Sequence, residues 1–229
     1  MTPSFRDALD RLRDQWCPTK SYPEYIQGAT RQELEYFEPF SDLILAHAHE
    51  FSTHPIVLLT VCSYAKPYSN SFIHYEMRKA LYKRQLLDMI EIWHLSSGGV
   101  IPTQLEKSIP WVCYDWNNEE ASEDDLAALR GALTDRFIRW MQIYGRGKKQ
   151  VVTYFRPESN TARAIESSSG IASLSNVTSV IPECVDSQRE SLRSVTLDGV
   201  VDDPDAMLIL PINLKLLTDV LARLVSLQE

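Results

Sequence analysis

The stretch Pro55-Ile-Val-Leu-Leu-Thr-Val-Cys62-Ser-Tyr-Ala-Lys66-Pro67-Tyr68-Ser-Asn-Ser71-Phe-Ile-His74 decides how this chain folds. Its first eight residues are a nearly unbroken apolar run, the pattern of a parallel strand covered on both faces. From Ser71 onward Met77, Leu81 and Leu86 or Leu87 recur at helical spacing, so the order is strand, loop, helix. The loop lies at the carboxyl end of a strand, where open α/β sheets bind their ligands. It holds Cys62, Lys66, Tyr68, Ser71 and His74, with His74 in the first turn of the helix and facing the loop.

The same alternation continues on both sides. Apolar runs predict strands at 55–62, 90–95, 111–115, 149–155, 177–181 and 207–211, and helical periodicity predicts helices at 73–88, 122–144, 160–168 and 213–227. The helix from Ser122 is the clearest, because Leu126, Leu129, Leu133, Phe137, Trp140, Met141 and Tyr144 mark one face while Glu123, Asp124 and Asp125 lie at its positive end. The expected fold is α/β in three layers, a mainly parallel sheet flanked by helices, with an N-terminal helical section. In that section Phe5, Leu9 and Leu12 give a short amphipathic helix, a Pro-containing loop covers 18–28, and Thr30-Arg-Gln-Glu33 reads as a capping box. Pro39 should kink or restart the helix that follows. Length predicts one domain over 1–229: a helical section at 1–50, a core at 51–160 and a C-terminal extension at 161–229 ending in a helix. Residues 168–205, rich in Ser, Asp and Val, read mostly as surface loop or partly disordered chain.

Composition narrows the function classes. The 229 residues carry a formal charge of −8, which weighs against a protein that grips nucleic acid by a basic face of its own. Arg78, Lys79, Lys83 and Arg84, and the Arg146-Lys148-Lys149 loop, read as solvated surface. No apolar run approaches the roughly 20 residues of a membrane helix, and the N-terminus lacks a secretory signal pattern, so a cytoplasmic protein with no membrane partner is expected. Cys17, Cys62, Cys113 and Cys184 form no C-x-x-C pair, and His47, His49 and His54 are spaced onto different faces. Neither a metal site nor a cofactor is expected.

As a pattern, C-x3-K-P-Y-x2-S-x2-H resembles the signature of the archaeosine synthase core domain. The resemblance continues through Ser96-Ser97-Gly98-Gly99-Val100-Ile101-Pro102-Thr-Gln-Leu105-Glu106 and Tyr114-Asp115, spanning roughly residues 50 to 160. Val61 stands where the family has a proline before its cysteine, and Trp116-Asn117-Asn118 replaces the usual residues after its Tyr-Asp. The resemblance implies an enzyme that acts on the nitrile of 7-cyano-7-deazaguanine and adds an amine to give an amidine. The chain has no room for the transglycosylase-like and RNA-binding domains that usually accompany that core. The expected substrate is then the free base, a nucleoside or a modified base in DNA, with transfer RNA or DNA reached through a partner protein.

A nitrile carbon needs a nucleophile and a nearby acid. Cys62 could add to it and form a thioimidate, its thiol activated by Lys66 or His74, since a neighbouring cation favours thiolate. Alternatively the amine attacks directly while His74 or Glu106 takes its proton, and Cys62 is a buried strand end. The N1–H and 2-amino group of the base suit a carboxylate, with Asp115 the first choice and Glu106 the second. Tyr68 or Trp116 could stack on the ring. Ser71, the Ser96, Ser97 and Gly98 turn, and Asn117 complete the expected substrate contacts, the glycines allowing backbone N–H groups to approach a ligand. Two rival readings remain open, a nucleobase glycosidase or transglycosylase-like enzyme and a non-catalytic module that binds modified bases.

Overall fold

The computed structural model describes residues 4–16, 26–28, 34, 35, 37–63, 67–107, 114–116, 120–148, 150–168, 175–183 and 203–228. In chain order these form α1 (Phe5–Trp16), β1 (Ile26–Gly28), α2 (Glu38–Ala46), β2 (Ile56–Val61), α3 (Phe72–Lys83), β3 (Glu91–Ser96), β4 (Gly99–Pro102), β5 (Tyr114–Trp116), α4 (Glu123–Ile143), β6 (Gln150–Tyr154), α5 (Asn160–Ser168), β7 (Val177–Val180) and α6 (Pro211–Ser226). A five-stranded sheet has the order β4-β3-β2-β6-β7. Only β4 in it runs antiparallel, pairing with β3. The expected α/β architecture, a mainly parallel sheet between helices with an N-terminal helical segment, is what the chain adopts.

All six residues of β2 are buried, as the apolar run requires of a central strand. Side-chain alternation then divides the core. Leu59 lies opposite Trp93 and Val61 opposite Leu95, and the Trp93 ring packs on Trp140 and Tyr144, so α4 covers that face. Thr60 lies opposite His94 on the other face, where the Thr60 hydroxyl reaches the Met77 sulfur at 3.9 Å and His94 packs on His74, which places α3 there. After β2 the chain moves through α3 to β3 on one side, then returns through α4 to β6 on the other. The loops leaving β2 and β6 therefore run to opposite faces, and their carboxyl ends form the switch-point crevice of an open α/β sheet.

Three sequence expectations give way. Of the segment at 111–115, whose first three residues lie outside the described ones, Tyr114 and Asp115 belong to β5, which pairs with β1 in a separate two-stranded sheet. The edge beside β3 is already taken by β4, because the Gly98-Gly99 turn folds the chain straight back. Within the loop expected at 18–28, residues 26–28 are that partner strand. The apolar run at 207–211 is not a strand: Pro204–Ile209 is a 3-10 helix, capped by the Asp203 side chain accepting from the Asp205 N–H at 2.8 Å, and Pro211 opens α6. A short buried apolar run carries no period that separates strand from helix. Pro39 does restart the helix, lying in the first turn of α2. The capping box at 30–33 and most of the loop expected at 168–205 lie outside the described residues.

Candidate active site

The carboxyl ends of β2, β3 and β6 open into a cleft of about 450 Å³, within the range of small-molecule sites. Val61, Cys62 and Ser63 line it from β2, Leu95, Ser96 and Ser97 from β3, and Arg156, Glu158 and Ser159 from the loop after β6. Leu129 and Leu133 of α4 and Ile73 of α3 form apolar walls, and Asn160, Thr161, Asp203 and Asp205 close the polar side. Cys62 presents a half-buried thiol that is in no disulfide.

The β3–β4 turn is held by a buried cation. Arg136, 0% exposed, donates to the Ser97 and Leu34 carbonyls and to the Glu38 carboxylate, the last through Nη2 at 2.7 Å. Ser96 Oγ accepts from the Gly98 N–H at 3.1 Å and donates to the Gly99 carbonyl. Gly99 has φ +127°, a region closed to side chains, and a Cβ there would meet Ser41 Oγ at 3.3 Å. These ties commit the Ser96 hydroxyl to the turn. Ser97 is 7% exposed, and its hydroxyl has no partner among the described residues.

On the far side, Arg156 Nε donates to Asp205 at 3.0 Å. Glu158 has a left-handed backbone, φ 62°, which is uncommon outside glycine. It leads into α5, where Ser159 Oγ accepts from the Ala162 N–H at 3.1 Å as the helix cap.

The remaining expected site residues lie elsewhere. His74 is 2% exposed and does not line the cleft; its ring meets His94 edge-on at 4.8 Å and Tyr68 at 6.0 Å. Tyr68 is 1% exposed, with its ring against His94 at 4.5 Å, so in this conformation it offers no open face for stacking on a ligand. Ser71 is buried at the N-cap of α3. Glu106 accepts from the Ser69 N–H at 2.9 Å, which ties its carboxylate to the Tyr68–Asn70 turn. Gly98 is buried within the turn. Asp115 and Trp116 belong to β5, paired with β1 rather than to the rim of the main sheet where neighbouring parallel strands would have placed Asp115. Lys66 and Asn117 lie outside the described residues.

His94, Thr161, Asp203 and Asp205 were not singled out by sequence. His94 forms a chain from the Val61 carbonyl, 3.3 Å from Nδ1, to Thr103 Oγ1, 3.1 Å from Nε2, and so couples the end of β2 to the loop after β4. Its only signal was alternation in β3, which puts it on the face opposite Trp93. The signal for Asp203 was the Asp-Pro pair, a turn initiator. Among the described residues no cluster of His, Cys, Asp and Glu could hold a metal ion, and no helix is long and apolar enough to cross a membrane.

No curated protein matches the sequence. A solved structure titled as that of AF0587, a protein of unknown function, is similar at 17% identity with a TM-score of 0.42, over 78% of this chain and 49% of that one. This chain thus spans about half the length of that protein. Residues 39–181, more than half of the chain and all of the sheet from β2 to β7, match the model of a family described as a domain of unknown function, DUF5591, and the chain belongs to that family.

Proposed function

We propose that this protein is an archaeosine-synthase-like enzyme that adds an amine to the nitrile of 7-cyano-7-deazaguanine. The supporting observation is that Cys62, the first residue of the C-x3-K-P-Y-x2-S-x2-H pattern, lines a base-sized cleft at the switch point of the sheet together with Ser97. In the step we favour, the Cys62 sulfur bonds to the nitrile carbon while the nitrile nitrogen takes a proton, giving a thioimidate. The amine then bonds to that carbon and the C–S bond breaks, returning the thiol and leaving an amidine. The apolar walls, Leu129, Leu133 and Ile73, keep water from competing with the amine.

In this reading His74, Tyr68 and Glu106 support the site rather than touch the substrate. The aromatic contacts of His74 and Tyr68 with His94, and the Glu106 bond to the Ser69 N–H, fix the Tyr68–Asn70 turn. Lys66, just before that turn in the sequence, remains the candidate acid for the nitrile nitrogen. Mass spectrometry of the protein incubated with 7-cyano-7-deazaguanine, with and without amines, tests the proposal. A Cys62 adduct equal to the whole mass of the base, which an amine discharges as a new amidine, is the expected result. Absence of both the adduct and the amidine over a series of amines would refute it.

A further inference from the structure

We propose that the cleft admits its substrate as an uncharged base or nucleoside and discriminates against phosphate-bearing forms, with Glu158 and Asp203 setting that selectivity. The inference rests on the reading of the ligand as a 7-deazaguanine and deepens it. Three carboxylates, Glu158, Asp203 and Asp205, line the cleft among the described residues, against one guanidinium, Arg156. That guanidinium already donates to Asp205 at 3.0 Å, so its charge is answered within the protein.

The amino end of α5 also borders the cleft, and a helix start by itself favours anions. Here Ser159 caps it and Glu158 stands two residues before its first turn, so protein groups answer that positive end. What the walls offer a ligand is chiefly acceptors. Asp203 Oδ1 takes the Asp205 N–H, while its second oxygen has no partner among the described residues. The hydroxyl of buried Ser97 is likewise unpartnered among them. Such a surface suits the N–H groups of a purine-like edge and opposes a phosphate, because like charges brought together in a part-buried cleft escape much of the screening of water. Asp203 and Asp205 lie beyond the matched residues 39–181, so this wall comes from the chain's own C-terminal segment.

Calorimetric titration of the full chain with 7-cyano-7-deazaguanine, its nucleoside and its nucleoside 5′-monophosphate tests this at low and high salt. Base and nucleoside should bind within about threefold of each other, and the monophosphate about tenfold more weakly. The Glu158→Gln/Asp203→Asn variant should shrink that gap to about twofold, as should high salt for the unaltered protein, a comparison that does not depend on the variant folding. Monophosphate binding as tight as or tighter than the nucleoside overturns the inference and leaves the proposed reaction standing. A gap that survives both neutralisation and salt overturns the electrostatic cause. If none of the three binds, the proposed function falls and this inference with it.

Discussion

Cys62 is where reactivity and position meet. It follows a fully buried strand and opens on the cleft, so its thiol is held by the strand while its sulfur is reachable. Cys62→Ala should abolish amidine formation while leaving base affinity within a few-fold, because the bond it makes exists only after binding; steady-state rates and titration on one preparation check this. A second buried polar centre lies at the opposite end of the sheet. Glu91 accepts from Lys148 Nζ at 2.8 Å, from the Thr53 and His54 N–H groups and from the Tyr144 hydroxyl. Burial alone would raise its carboxyl pKa, but the His54 N–H, Lys148 and Tyr144 together outweigh burial and hold it below the ordinary carboxylate value. A lowered folded-state pKa contributes stability above the unfolded value, and that stability is lost as pH falls through the folded one. Urea midpoints should therefore drop more steeply below about pH 5 for the unaltered protein than for Glu91→Gln. Lys148→Met should cost roughly 3–5 kcal/mol at neutral pH, because it strands a buried carboxylate. Sequence placed Lys148 among surface cations, since nothing local reveals that an acid 57 positions earlier in the chain waits for it.

At the scale of the element, two glycines should respond to the same substitution in opposite directions. Gly99, with φ +127° and Ser41 close by, should lose about 1–3 kcal/mol when changed to Ala, and the turn that carries Ser97 should shift with it. Gly131 is exposed within α4, and nothing lies within 4 Å of where a methyl would stand, so Gly131→Ala should gain about 0.5–1 kcal/mol from helix propensity. Paired thermal melts of the two variants check both signs. Elements with a long period were legible from sequence: α4 is observed at Glu123–Ile143 against an expected 122–144, with Ser122 as its cap. The run at 207–211 was not, because Met207, Leu208, Ile209 and Leu210 are all buried, and the prolines at 204 and 211 decide for helix.

For the whole molecule, the C-terminal segment is tied into the fold by a few buried bonds. Asn213, fully buried, donates to the Glu183 and Met207 carbonyls and accepts from the Glu183 N–H, each at 2.8 Å. The Tyr154 hydroxyl, its pKa pushed well up by burial, donates to the Leu208 carbonyl at 2.6 Å. Asn213→Ala should therefore cost about 2–3 kcal/mol by orphaning those groups. It should also weaken base binding, since the segment carrying Asp203 and Asp205 loses its anchor; a denaturant titration beside a binding titration separates the two effects.

The sequence by itself determined the strand-loop-helix unit that starts at residue 55, though not the end of its helix, which falls at Lys83 rather than 88; it also determined the alternation that makes the fold α/β and the placing of Cys62 and the Ser96-Ser97 turn at strand ends. Those follow from periodicity and local chemistry, which act over a few residues. Only the tertiary structure decided which strands are neighbours. It set β4 beside β3, paired Asp115 with β1 away from the main rim, turned His74 and Tyr68 onto His94 and brought Asp203 and Asp205 to the cleft. Each of these depends on contacts between segments far apart in the chain, for which a local pattern carries no record.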